Sequence, residues 1–442
     1  MDYFHSTLKR VRSIGTCPVI EAKRAKLTKG RLFILCFTAF VEYCCIGILL
    51  TVIPFYIAKT ATSLNAAVLS IGLVQSSFGI SQVATASFVG ALSDRFGRRN
   101  TLMTTLISTS ILVYLLSFTH QLYWILILRL LTGTCQHSLV IVTAYVSSLS
   151  ETKDIPANLS KISASNGIGF IAGASLVGLI SHHGLAACIQ IAAALTLINS
   201  IVVFLRLPIE KVQGEYHTSF SNSADILSLF TSKLKGIKDI FKLDRQKLLY
   251  YSFVLQSVAG FTSFSIWAIY FKIKFSWTAQ QAGASLFVFG VTLLISQIFL
   301  PPILLRKISI YQLTLLSLTS SAIISFLFGV ASDPVYIYFL IIINIFGCLS
   351  DSMIRSMICS QFSAEIQGAV MGKIGSLYAL GPCLAPLIGS AITLPYSTST
   401  NDSTLALIPF AGISLMYALA LVAIISYKKN SQTKLAFMMG KN

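Results

Sequence analysis

Twelve apolar runs, each close to the roughly 20 residues that a helix needs to cross a bilayer, leave this chain little choice of fold. They predict helical spans at 32–57, 66–92, 101–118, 122–148, 160–182 and 185–206, and again at 249–271, 280–305, 311–330, 335–358, 369–393 and 405–427. The expected fold class is an all-α polytopic membrane protein with twelve transmembrane helices. Composition agrees, since 55% of the 442 residues are hydrophobic and 11% charged, where a soluble domain carries about 25% charged residues. Residues 1–30 are basic and hold no apolar core, so no signal peptide is expected there.

A formal net charge of +18 would suit a nucleic-acid partner if it were gathered on one face. The basic residues instead occupy tails and short loops between apolar runs, the pattern of a membrane protein with positive inner loops. The expected partners are the lipid bilayer and a small-molecule substrate, with no nucleic acid; protein partners are left open. With both termini in the cytosol, roughly 27 of the 33 Lys and Arg fall on the inner side, and three, Lys59, Lys272 and Lys274, on the outer. The chain then divides into a basic inner tail (1–30), a six-helix bundle (31–206), an inner linker (207–248), a second six-helix bundle (249–428) and a tail (429–442). In the linker, Lys233, Lys235, Lys238, Lys242, Arg245 and Lys247 alternate with Leu234, Ile237, Phe241 and Leu248. That suits either a basic amphipathic helix on the inner leaflet or a solvated linker. Of nine Cys, only Cys17 lies outside the apolar runs and none lies in an expected outer loop, so no disulfide framework is expected.

The stretch from Gly90 to Asn100 puts Asp94, Arg95, Arg98 and Arg99, with Gly90 and Gly97, into the connection between spans 2 and 3. Gly90 would let its helix end approach another backbone closely. Asp94 would face the N-terminus of a neighbouring helix, and the arginines would hold Asp94 or lipid phosphates. A plain positive-inside anchor is the alternative. The order Gly-x-Leu-x-Asp-Arg-x-Gly-Arg-Arg resembles the loop between helices 2 and 3 of the major facilitator superfamily. That resemblance implies two pseudo-symmetric six-helix bundles with the substrate site near mid-membrane between them.

The two halves also look like repeats. An offset of about 214 residues puts Glu42 on Gln256, Tyr56 on Tyr270, Gly133 on Gly347 and His137 on Asp351. Nearly the same offset puts Ile80-Ser81-Gln82 on Ile295-Ser296-Gln297 and Lys161-Ile162 on Lys373-Ile374. The counterpart of the charged stretch, Leu304-Leu305-Arg306-Lys307-Ile308, lacks the Asp and both Gly, so only the first half keeps the full clamp.

Glu42 in span 1 and Asp351 in span 10 are the two of fifteen carboxylates that fall inside expected spans. A charge at a helix centre costs about 2.5–3.5 kcal/mol on insertion scales, so such side chains usually face a cavity or a partner. At 1.5 Å per residue, Glu42 lies roughly 16 Å from the inner end of its span, and His137 and Asp351 roughly 23 Å from the outer ends of theirs. Helices 1, 4 and 10 line the central cavity in the superfamily this chain resembles. Glu42, His137 and Asp351 are therefore expected to share one site, with Gln256 as the repeat partner of Glu42. A carboxylate in an apolar cavity can bind a proton near neutral pH, and a cationic substrate can displace it. Glu42 is the leading candidate for that role; a structural carboxylate satisfied by Tyr43, Ser or backbone is the alternative. Arg355 follows Asp351 at i+4, and the two can neutralise each other. His137 suits a proton relay or hydrogen-bonded packing among Cys135, Gln136 and Ser138. Arg129, one turn before Gly133, matches the Arg-x-x-x-Gly signature of proton-coupled members, its other reading being a fixed partner for Glu42 or for helix carbonyls.

In span 5, Gly167, Gly169, Gly173 and Gly178 resemble the antiporter motif of the same superfamily, whose small face lets helices pack tightly at the gate. Ala174 and Val177 stand where that motif has Pro and Gly. From Ala144 to Leu179 the chain is similar, without gaps, to the tetracycline-efflux branch, with Ser148 in place of an acidic residue. Glu42, Phe78-Gly79, Gln82, Ala174, Asp351-Ser352-Met353 and Leu380-Gly381-Pro382 bring it nearer to the animal organic cation transporter-like members. The resemblance implies a drug/proton antiporter that exports small organic cations or amphipathic solutes, driven by a proton gradient and without a cofactor.

No Walker A, metalloprotease motif or nucleophile elbow occurs; Gly368-Ala-Val-Met-Gly372-Lys373-Ile374 has the wrong spacing for the first. His182-His183 is an isolated pair and no metal site is expected, so neither an enzyme nor a primary pump is. A uniporter or symporter of a neutral metabolite, and a non-transporting scaffold or sensor, are the other readings. The sequence leaves open whether the plasma membrane or an endomembrane such as the lysosome is the host. Asn401-Asp402-Ser403 is a glycosylation sequon close to the membrane.

Overall fold

The protein is seen here as a computed structural model that describes residues 28–150, 154–208, 247–361, 374–375, 377–398 and 403–439. Its helices are α1 (Lys29–Thr60), α2 (Leu64–Phe96), α3 (Arg98–Leu116), α4 (Leu122–Cys135), α5 (Ser138–Leu149), α6 (Ile155–Ile180) and α7 (Leu185–Arg206). They continue as α8 (Lys247–Phe275), α9 (Ala279–Leu304), α10 (Ile310–Val330), α11 (Pro334–Ile343), α12 (Ser350–Cys359), α13 (Leu380–Thr398) and α14 (Ser403–Met439). Helices stand at all twelve expected positions, with α4 and α5 sharing one and α11 and α12 another. Nine stretches among the described residues are long and apolar enough to cross a membrane, and the bent pair α11–α12 makes a tenth. Helices α3 and α13, at two of the expected positions, are not among these stretches. Helix α14 runs well past the expected end of its span, to Met439. The side chain of Asp94, the linker from 209 to 246, residues 369–373 of the eleventh span, Asn401 and Asp402 of the sequon, and the segments 1–27 and 440–442 lie outside the described residues.

Several helices begin where a side chain can satisfy their free N–H groups. Thr28 Oγ1 accepts from the Arg31 N–H at 3.4 Å ahead of α1. Thr278 with Gln281, and Ser309 with Gln312, form capping boxes at α9 and α10. Asp333 Oδ1 accepts from the Val335 N–H at 2.7 Å, just where Pro334 opens α11. Between α2 and α3 the connection is Gly97 alone, at φ 89°, a conformation that glycine reaches without strain. The stretch expected as a charged loop is therefore the end of one helix and the start of the next.

Helices α1–α7 and α8–α14 form two bundles. In the first, α1 and α6 cross in backbone contact: a Cβ on Gly169 would run into the Phe40 carbonyl, and one on Gly173 into that of Cys44. This is the tight packing expected of small residues on one face of a membrane helix. The bundles meet along α2–α13 and α6–α9. Ser390 Oγ donates to Val68 O and Ser397 Oγ to Asn65 Oδ1, both at 2.8 Å. Gly79 abuts the Pro382 carbonyl, and Gly283 abuts that of Ala174. These contacts run from mid-helix to the face opposite the start of α1. Towards the α1-start face, a Cβ on Gly90 would meet nothing within 4 Å among the described residues. Among the described residues, Gly90 thus has no neighbour at the close backbone approach expected of it.

Candidate functional site

Between α4 and α5, Gln136 (φ −81°, ψ 79°) and His137 (φ −127°, ψ 18°) leave helical geometry. The repeat-related helix of the second bundle breaks between α11 and α12, which are bent by 53°. A break inside a membrane frees carbonyls that water cannot satisfy. In both bundles a glutamine from a neighbouring helix does so. Gln82 Nε2 on α2 donates to Gln136 O at 3.0 Å, and Gln297 Nε2 on α9 donates to Cys348 O at 3.1 Å. Ser296 Oγ adds a bond to Ile345 O at 2.6 Å, and Ser321 Oγ one to Gly347 O at 3.2 Å. The sequence match of Ile80-Ser81-Gln82 with Ile295-Ser296-Gln297 is thus the trace of one structural duty performed twice. Replacing Gln82 by Leu leaves the Gln136 carbonyl unpaired and is expected to cost about 1–3 kcal/mol of stability. Gln297→Leu should do the same, and the two losses should add, since the glutamines share no partner. Thermal unfolding of the purified protein checks this; an unchanged midpoint in both variants would contradict it.

The break in the first bundle brings the N-terminus of α5 to α1. Glu42, 5% exposed, faces the Leu139 N–H and the Ser138 hydroxyl, while its Oε2 is buried with no hydrogen-bond partner. The orphan N–H groups and the dipole of α5 support a carboxylate there. The second bundle repeats the geometry with a neutral residue. Gln256 Nε2 on α8 donates to the hydroxyl of Ser350, the first residue of α12, at 3.3 Å, and Gln256 Oε1 is buried without a partner. His137 fills the break itself, buried, with Nε2 2.8 Å from Thr85 Oγ1. Arg129 is buried with its guanidinium 4.2 Å from the centre of the Phe78 ring. Its described contact is this cation–π stack, and no bond to Glu42 or a helix carbonyl, its other reading, occurs among the described residues. Gly133, one turn on, permits it: a Cβ there would strike the Phe78 carbonyl, so α2 and α4 lie close enough for the stack.

On α12, Asp351 and Arg355 form the i,i+4 pair that their spacing predicts, with Nε to Oδ2 at 2.7 Å and Nη2 to Oδ1 at 3.3 Å. The guanidinium lies 5.1 Å from the centre of the Phe253 ring and 4.6 Å from that of Tyr378. Tyr43 of the first bundle is within electrostatic range of both Glu42 and Arg355. Tyr378 is within range of Asp351, Arg355 and Tyr43. Tyr43 and Tyr378 thus link Glu42 to the Asp351–Arg355 pair across the two bundles. Sequence reasoning named both carboxylates. It missed Tyr43 and Tyr378 as wall residues, and Arg355 entered only as a neutraliser; an aromatic next to an intramembrane charge was the available signal.

At the α2–α3 junction, Arg98 Nη1 donates to Ala144 O at 2.6 Å and to the Ser148 hydroxyl near the end of α5. Arg99 Nη2 donates to Phe204 O at 2.5 Å near the end of α7, its guanidinium 5.3 Å from the Phe204 ring centre. The expectation had these arginines on Asp94, whose side chain lies outside the described residues, or on lipid phosphates. Their described contacts are with the carbonyl ends of two helices, where cations are favoured. Arg95 is exposed, over the ring of Phe96. Gly178 lies against Gly283 of α9, at the bundle interface rather than at the α1 crossing made by Gly169 and Gly173.

Comparison with known proteins matches residues 35–386 to the model of the Major Facilitator Superfamily. The chain is 25% identical over 357 residues to the class C tetracycline resistance protein of Escherichia coli, covering 80% of this chain and 88% of that protein. It is 23% identical over 371 residues to solute carrier family 22 member 18 of Rattus norvegicus, covering 82% of this chain and 87% of the relative. Among solved structures, the nucleoside transporter NupG superposes with a TM-score of 0.69 at 17% identity, over 90% of this chain and 99% of that one.

Proposed function

The chain belongs to the Major Facilitator Superfamily and is an integral multi-pass membrane transporter, not an enzyme; from that premise we propose that it exchanges protons for small organic cations or amphipathic drug-like solutes. One observation carries the reading. Glu42 is shielded from water with its carboxylate facing the N-terminus of α5, and Oε2 has no partner. A carboxylate out of water needs a compensating group, and a proton or a cation can fill that single open position, but not both. Competition for one oxygen is the property an antiporter needs.

His137 and Asp351 support Glu42 in this scheme, while Arg129 packs on Phe78. His137 sits in the break directly before α5, and we assign it the proton relay. Asp351 offers the second charge, and Gln256 holds the corresponding place in the second bundle without titrating. The Lys and Arg distribution supports termini in the cytosol, with the Gly90–Arg99 end on that side. Rocking of the bundles about the site would then make and break the α2–α13 and α6–α9 contacts. Similarity to a tetracycline resistance protein supports a drug-like solute.

In proteoliposomes, uptake of ethidium against an imposed proton gradient is expected to run at least about tenfold faster than without the gradient, the span of a modest coupling free energy. Flux indifferent to the gradient would replace antiport with facilitated diffusion of a neutral or cationic solute.

A further inference from the structure

The Asp351–Arg355 pair is more open than a purely structural ion pair needs to be. Arg355 and Asp351 remain 25% and 34% exposed, although α12 lies deep in the bundle. Asp351 occupies one edge of the guanidinium, through Nε and Nη2. Arg carries five N–H donors in a planar fork, and those on Nη1 have no acceptor among the described residues. Phe253 and Tyr378 lie against the same group, which holds the fork in place and favours a flat aromatic ligand beside it. Tyr43, next in sequence to Glu42, lies within electrostatic range of both Glu42 and Arg355, so the partly exposed pair and Glu42 are near neighbours across the bundles.

We propose that Arg355 is an anion-binding residue of the central site, so that the ligand is amphoteric: a flat aromatic cation whose carboxylate docks on the free edge of Arg355. The inference rests on the reading of Glu42 as the cation site. An aromatic zwitterion would place its positive charge near Glu42 and its carboxylate on Arg355, with its ring along Tyr378. A bidentate carboxylate–guanidinium contact is geometrically selective in a way that a lysine or a lone dipole is not. Asp351 then acts as a positioning residue, turning the fork so that its unused edge faces the ligand.

The test uses two dyes that differ at one group, tetramethylrhodamine, which carries a free carboxylate, and its methyl ester, titrated by fluorescence anisotropy against the full chain in detergent. The wild type should bind the carboxylate dye about 10- to 100-fold more tightly than the ester, the range for a charge-assisted contact. Arg355→Lys keeps the charge but loses the fork, and should reduce the ratio to a few-fold. The double variant Asp351→Asn/Arg355→Gln replaces the pair by neutral groups of like size, which guards against a misfolded single variant, and should bring the ratio to about one. Equal affinities in the wild type, no binding of the carboxylate dye, or a preference that survives in the double variant would overturn the anion subsite. Glu42→Gln separates the two ideas. Weaker binding of both dyes at an unchanged ratio is expected; if Glu42→Gln alters neither affinity while the ratio still depends on Arg355, the anion subsite stands and the cation reading of Glu42 fails.

Discussion

Replacing Glu42 with Gln is expected to lower proton-driven solute uptake by at least about 100-fold, equivalent to ~2.7 kcal/mol and within the range seen when one member of a buried charge pair is lost. The substitution keeps the size of the side chain and its carbonyl-type oxygen towards the Ser138 hydroxyl and the Leu139 N–H. It removes the ability to carry a proton. It also makes the first bundle resemble the second, where Gln256 already faces Ser350 in the same way. Folding should therefore survive, with a melting temperature close to that of the wild type. Gradient-driven uptake in proteoliposomes, normalised to reconstituted protein, gives the readout. Near-normal uptake in this variant would make Glu42 a structural carboxylate.

The second large effect concerns the α1–α6 crossing. Gly173→Leu should abolish recovery of monodisperse protein, because the new side chain meets the carbonyl of Cys44 and a backbone cannot rotate out of the way. Gly173→Ala is the graded version. Overpacking of this kind typically costs about 1–3 kcal/mol, occasionally more, and a single Cβ already forces α1 and α6 apart. The same reasoning applies from the other side at Gly47, whose Cβ would strike the Phe170 carbonyl. Gly90→Ala supplies the contrast. With open space around it on α2, alanine there should leave the melting temperature unchanged or raise it slightly, since alanine is the better helix former by about 1 kcal/mol. A Gly173→Ala protein as stable as Gly90→Ala would show that the crossing is looser than described.

Much of this architecture is legible in the residues because a bilayer permits so few solutions. Apolar runs place the helices, the Gly spacing at Gly169 and Gly173 marks a tight crossing, and the i,i+4 spacing of Asp351 and Arg355 announces their pair. What escaped reading has a common physical cause. The break at Gln136–His137 carries neither Pro nor Gly at its centre, so no local signal interrupts the apolar run; the break is stabilised from α2, through Gln82, and only the folded chain brings them together. Gln82 and Gln297 were visible as a sequence repeat, yet their purpose was not. Arg98 and Arg99 likewise looked like loop charges, because their partners, the carbonyls of Ala144 and Phe204, belong to helices far along the chain.

The central claim is that a proton and a cation compete for the open oxygen of Glu42. Proton release on ligand addition tests this most directly. Tetraphenylphosphonium is added to weakly buffered, purified protein with a pH indicator, for the wild type, Glu42→Gln and Asp351→Asn. Competition predicts about one proton released per cation bound by the wild type, as linkage of two ligands at one position requires. It predicts none from Glu42→Gln, and release largely preserved in Asp351→Asn. Cation binding by the wild type with no proton released, or release that persists in Glu42→Gln, would contradict it.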